Sequence, residues 1–143
     1  MIVHTAYRLH SEVGPGLMEG FYQSVMAHAL EKQGLQVEKE KKIPFEWEGV
    51  RIAEACRLDL LVEGWVIVEL KSVERLHPVH HKQVLTYLRL TDLPVGLLIN
   101  FGELSLKNGV HRILNNRSST AAMVSSDGWG ESRPRRVLKK SSG

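Results

Sequence analysis

Three residues have the types and spacing to do chemistry together. Asp59 sits in the apolar run Leu58-Asp59-Leu60-Leu61-Val62, and Glu69-Leu70-Lys71 closes the next apolar run, Val66-Ile67-Val68. Side chains alternate across a strand, so Glu69 and Lys71 share a face. The apolar pattern decides whether Asp59 joins them. Leu58, Leu60 and Val62 make one face of the first strand, and Val66, Val68 and Leu70 make one face of the second. Turning both sets to the core requires pairs such as 58 with 70 and 60 with 68. Asp59 then falls opposite Glu69, on the face that carries Lys71. A strict two-residue turn at Glu63-Gly64 would pair 59 with 68 and flip one apolar set into solvent. The expectation is a turn of odd length, with Gly64 at positive φ.

Two carboxylates held side by side repel each other unless a cation sits between them. An all-oxygen site with one or two carboxylates suits Mg²⁺, which keeps several waters for substrate to displace. A lysine two residues away can orient or deprotonate an attacking water, or offset negative charge on a phosphate in the transition state. Such an apparatus suits the cutting of a phosphodiester bond. The plain alternative is a solvated strand face on which Asp59 and Glu69 pair with Lys71 and Arg57.

The elements that must position these residues are legible in outline. Ile2, Ala6, Leu9 and Val13 recur at spacings of four and three, which predicts an amphipathic helix ended by Gly14-Pro15-Gly16. A second helix is expected over 17–33, with Leu17, Phe21 and Val25 on one stripe and Gly34 as its stop. Strands are expected at 36–47, 50–62 and 65–71, joined as hairpins. A helix at 78–91 follows, with Pro78 in its first turn. Val95-Gly96-Leu97-Leu98-Ile99 lacks alternation, so a strand at 94–101 should be buried on both faces. Asn108-Gly109 predicts a last hairpin joining 104–107 to 110–114. The helix at 78–91 can carry the chain between parallel strands. The predicted class is therefore α/β, a mixed central sheet flanked by helices.

Composition narrows the function classes. The 143 residues suit one domain, and no apolar run approaches the ~20 residues of a membrane span. The N-terminus lacks the basic region and apolar stretch of a signal peptide. Cys56, the single cysteine, has no partner for an internal disulfide, so a cytoplasmic protein is expected. The formal charge of +3 hints at nucleic acid, but residues 115–143 carry +4 and residues 1–114 carry −1. Attraction to phosphate must come from local patches or from the tail. Residues 1–114 form the expected domain; 115–143, without apolar period, is expected to be a flexible basic tail.

Longer stretches point to a family. Gly16-Leu17-Met18-Glu19-Gly20-Phe21-Tyr22 fits the signature of the GxxExxY proteins, a group placed in the PD-(D/E)XK nuclease superfamily. Arg57-Leu58-Asp59-Leu60-Leu61-Val62-Glu63, Val68-Glu69-Leu70-Lys71, Gln83-Val84-Leu85-Thr86-Tyr87-Leu88 and Gly96-Leu97-Leu98-Ile99-Asn100-Phe101-Gly102 also read like that group. The chain resembles it over residues 2–114; the stretch after Asn116 has no counterpart. The resemblance implies a restriction-endonuclease-like αβββαβ core and a Mg²⁺-dependent nuclease acting on DNA or RNA, with Mn²⁺ as a substitute ion. It implies that Asp59, Glu69 and the Leu70 carbonyl hold the metal and that Lys71 serves the water and the scissile phosphate. Glu19 would add an acid from the helix before the sheet. Gln83 and Tyr87, four apart on one helix face, would border the site. The rival reading is a binding or scaffold protein that keeps the fold without turnover.

Other residues read more plainly. His77 with His80 or His81 has helical zinc-ligand spacing, but no second His/Cys pair matches it. His10 and His28 read as helix packing or surface residues, Trp47 and Trp65 as sheet packing, and the basic residues from Arg133 to Lys140 as a solvated tail.

Overall fold

The computed structural model describes residues 1–118. Five strands form one sheet in the order β1-β2-β3-β4-β5: Val37–Trp47, Val50–Val62, Val66–Lys71, Val95–Asn100 and Val110–Leu114. Neighbours are antiparallel except β3 and β4, which are parallel. A parallel pair needs a crossover, and helix α3, Pro78–Thr91, supplies it. Helices α1, Ile2–Val13, and α2, Glu19–Lys32, precede the sheet. The start of α1 and Leu35, just after α2, lie over the face of Val62, Val66 and Leu97. Helix α3 covers the opposite face, and a Cβ on Gly96 would come 2.8 Å from Val84.

The β2–β3 register answers the first question raised by the sequence. Leu60 pairs with Val68, Leu61 with Ile67 and Val62 with Val66. Three residues close the turn, Glu63 at φ 57, Gly64 at φ 74 and Trp65. The odd length and the positive φ at Gly64 were both expected from the need to keep two apolar faces on one core. All six residues of β4 are buried, as its unbroken apolar run predicts.

Four expectations are corrected, the simplest being that Trp47, expected to pack on the sheet, is 64% exposed, whereas Trp65 is buried as expected. The buried stripe of α2 is Tyr22, Met26, Ala27 and Leu30, whereas Leu17 and Phe21 are exposed. Apolar residues recur every four positions in two frames one residue apart, and packing selects the frame that includes Tyr22. The expected hairpin of 104–107 with 110–114 does not form. Leu106–Asn108 is a single 3₁₀ turn, Leu104 is 90% exposed, and β5 pairs with β4 instead. A neighbour already buried on both faces offers β5 a better ladder than an isolated hairpin would. The packed chain also runs past Leu114. Asn115 is buried and donates to the carbonyls of Leu88 and Leu93, and Ser118 donates to that of Asp92. The remainder of the expected tail, 119–143, lies outside the described residues.

Candidate active site

Asp59 and Glu69 are adjacent where the β2–β3 ladder stops. The regular pairs end at Leu60 and Val68. Beyond them side chains replace backbone partners. The Asp59 N–H donates to Glu69 Oε1 at 3.0 Å, and the Leu70 N–H donates to Asp59 Oδ2 at 2.9 Å. Each carboxylate thus inserts between the strands and is held by the backbone of the other, leaving each a second oxygen.

Electrostatics make the pair a demanding one. Glu69 is only 4% exposed. Burial first, and the Asp59 charge second, push its carboxyl up to about 8. Burial also raises Asp59, against the Leu70 N–H bond, a hydrogen bond with Glu69 and the Lys71 charge, which lower it. Burial and mutual repulsion thus work against ionising both acids at once. Lys71 lies within electrostatic reach of both acids.

Helix α3 brings the next residues. Tyr87 is pushed up chiefly by burial and then by the charges of Glu69, Cys56 and Asp59, and it shares a hydrogen bond with Gln83. Tyr87 thus lies within electrostatic reach of both carboxylates, with Gln83 beside it on the same helix face. Glu19, the first residue of α2, lies within electrostatic reach of His80 in the first turn of α3. Burial, Lys71 and His77 hold His80 below its usual range, while Glu19 opposes them. The three histidines considered for zinc divide. The His77 N–H donates to His80 Nδ1 at the start of α3, whereas His81 packs edge-on against His111 of β5. Burial and the Glu69 charge push Cys56 up to about 11, so its thiol stays protonated and is no nucleophile at neutral pH.

The family model of the PD-(D/E)XK nuclease superfamily matches residues 1–113. The chain belongs to the PD-(D/E)XK nuclease superfamily. No curated protein and no solved structure matches the chain. The helices and the five-stranded mixed sheet are the restriction-endonuclease-like architecture of that superfamily.

PD-(D/E)XK nucleases generally use divalent metal ions. Among the described residues, no group of three or more His, Cys, Asp and Glu side chains could hold a metal ion. The donors present nonetheless fit Mg²⁺, which takes one or two carboxylates and leaves its other positions to water and phosphate oxygens. The donor set is the observation behind that fit: Asp59 and Glu69 are adjacent carboxylates at the end of the ladder, each with one oxygen held by a backbone N–H of the other strand.

Sequence reasoning missed the residues that fasten this end of the sheet. Asn100, fully buried at the end of β4, accepts from the N–H groups of Val73 and Gly102 and donates to the Val73 carbonyl. The Phe101 N–H donates to the Lys71 carbonyl at 2.7 Å. Gly102 approaches so closely that a Cβ would lie 2.1 Å from the Val73 carbonyl oxygen. The segment after Lys71 is thereby tied to β4. On the other side, the Tyr22 hydroxyl donates to the Gly14 carbonyl and accepts from the Leu17 N–H. Its ring stacks on Phe101 at 4.2 Å, and the Ser72 hydroxyl donates to the Leu17 carbonyl. The loop that leads into Glu19 is thus tied to the end of β3. The signal available in the sequence was an asparagine in an otherwise apolar strand, Val95–Asn100, since a buried amide must find partners.

Proposed function

We propose that this protein is a Mg²⁺-dependent nuclease of the GxxExxY group, hydrolysing phosphodiester bonds in DNA or RNA in the cytoplasm. One observation carries the reading: two carboxylates, Glu69 buried and Asp59 half-buried, are held side by side at a strand end by each other's backbone N–H groups, with a lysine in electrostatic reach. Asp59, Glu69 and the Leu70 carbonyl would hold the ion, with Mn²⁺ able to stand in. The ion would supply Lewis-acid polarisation of the phosphate and a more acidic water. Lys71 would orient that water and offset charge on the scissile phosphate. Gln83 and Tyr87 would position the substrate from α3, and Glu19 would add an acidic oxygen from α2. The backbone bonds to both carboxylates fix their directions before substrate arrives.

The test is a cleavage screen of single-stranded, duplex and branched DNA and RNA, with Mg²⁺ or Mn²⁺, beside a calorimetric Mg²⁺ titration. Metal-dependent cleavage is the expected result. The −1 charge of residues 1–114 favours a second reading, a nuclease-fold protein that binds or scaffolds without turnover. Failure both to bind Mg²⁺ and to cleave any substrate would select it.

A further inference from the structure

The chain that leaves Lys71 and enters α3 encloses a cleft of about 490 Å³, lined by Val73, Glu74, Arg75, His77 and His80. One wall is fixed to the sheet, because the buried Asn100 side chain accepts from the Val73 N–H and donates to the Val73 carbonyl. The other wall is the start of α3, which begins at Pro78.

His80 is held in both direction and tautomer. Its Nδ1 accepts from the His77 N–H at 3.1 Å, so the neutral ring carries its proton on Nε2. Burial, with Lys71 and His77, holds the ring below its usual range, so near neutral pH it stays in that form. Nε2–H is then the donor His80 can offer to the cleft. Arg75 is exposed and, among the described residues, has no ion pair. Glu74 lines the cleft too, but it is exposed, and water screens its charge. Lys71 brings a further positive charge within electrostatic reach of His80.

His80 also extends the row begun by Gln83 and Tyr87. Spacings of three and four place all three on one face of α3. Tyr87 lies within electrostatic reach of Glu69 and Asp59, and His80 within that of Lys71 and Glu19. That helix face therefore runs from the carboxylate pair to the cleft. At its far end stand a neutral N–H donor and a guanidinium, whose planar fork suits phosphate oxygens.

Resting on the nuclease reading for the substrate, we propose that this cleft holds the phosphate next to the scissile one, with Arg75 and His80 Nε2–H as its donors. His80 is then a substrate-positioning residue, which sets the register of the strand on Lys71 and the carboxylates.

The test titrates thymidine 3′,5′-bisphosphate into the intact chain by calorimetry, with Mg²⁺ present. The probe carries two neighbouring phosphates and no phosphodiester bond to cut; the two thymidine monophosphates are the comparison. Wild type should bind the bisphosphate at least about tenfold tighter than either monophosphate, the worth of a hydrogen bond to a charged group. Arg75→Gln should erase most of that advantage. At position 80 a glutamine amide nitrogen can stand where Nε2–H stands, whereas an asparagine amide oxygen reaches only as far as Nδ1. His80→Gln should therefore keep the advantage, and His80→Asn, which can still cap the His77 N–H, should lose it. Circular dichroism reports folding, and the exposed Arg75 keeps the test informative if a His80 variant fails to fold. Equal affinity of wild type for all three nucleotides, or none for any, overturns the subsite, as does an advantage kept by Arg75→Gln and His80→Asn. An advantage lost in His80→Gln but kept in His80→Asn also overturns it, and makes His80 a helix cap alone. Protein that shows the expected pattern yet cuts neither DNA nor RNA with Mg²⁺ supports the subsite and defeats the nuclease reading. Protein that cuts but shows no bisphosphate advantage does the reverse.

Discussion

The backbone N–H of Asp59 donates to the carboxylate of Glu69, while the carboxylate of Asp59 accepts from the residue after Glu69. Two strands that pair normally at Leu60 and Val68 therefore part by a side chain's width at the next position. Glu69 ends up buried with Asp59 half-buried beside it. Most of the expected behaviour of this site follows from that arrangement.

The first consequence concerns pH and metal. The folded pKa of Glu69, about 8, lies above its ordinary value of 4.5. The stability it contributes is present below about pH 4.5 and is lost as pH rises through about 8. Metal-free protein should therefore lose stability across that window, on the order of a few kcal/mol. Melting temperatures in EDTA from acid to mildly basic pH would show the decline. Added Mg²⁺ should raise the melting temperature most at the high end, because the ion must displace the proton. Glu69→Gln should flatten the EDTA profile. An unchanged profile in that variant would mean another group titrates.

Separating metal binding from chemistry is the second expectation. Asp59→Asn and Glu69→Gln each remove a charged oxygen ligand at nearly constant size, so both should weaken Mg²⁺ binding and abolish cleavage. Lys71→Met removes a neighbouring positive charge and no ligand, so it should retain metal or bind it more tightly. Cleavage should still fall by at least ~10²-fold, the loss typical of an acid–base or charge-stabilising group. Calorimetry beside single-turnover cleavage makes the comparison. Wild-type-like cleavage by Lys71→Met would remove the lysine from the mechanism.

The Asn100 knot should matter to stability as well as to activity. Asn100→Ala leaves the N–H groups of Val73 and Gly102 and the Val73 carbonyl without their partner. The cost should be at least ~2 kcal/mol, since buried polar groups lose their compensation. Denaturant midpoints would measure it. Metal affinity should survive, because neither carboxylate touches Asn100, while cleavage should fall as the segment after Lys71 loosens.

Tyr22→Phe isolates a smaller effect. The ring remains free to stack on Phe101, but the bonds to Gly14 and Leu17 are lost. Stability should drop by about 1 kcal/mol. If the loop before Glu19 helps form the site, cleavage should fall more than that loss accounts for. Cleavage at the wild-type rate would make the Tyr22 hydroxyl a purely structural fastener.

What the sequence determined by itself was the hairpin at the centre of the site. Side-chain alternation is a strictly local rule of period two, so two apolar sets flanking one turn are both buried only across a turn of odd length, which puts Asp59 and Glu69 on one face. The helix at 78–91 and the doubly buried β4 were legible for the same reason, as periods within one element. Tertiary structure alone decided matters that depend on residues distant in the chain. It chose between two equally apolar stripes of α2, because only packing against the sheet distinguishes Tyr22 from Phe21. It sent β5 to β4 rather than to residues 104–107, because ladder partners compete across the whole sheet. It gave Asn100 and Asn115 their buried partners, and it released the Trp47 end of the hairpin from the core. A buried amide shows in a sequence only as an asparagine; the carbonyls it satisfies are fixed when the chain closes around it.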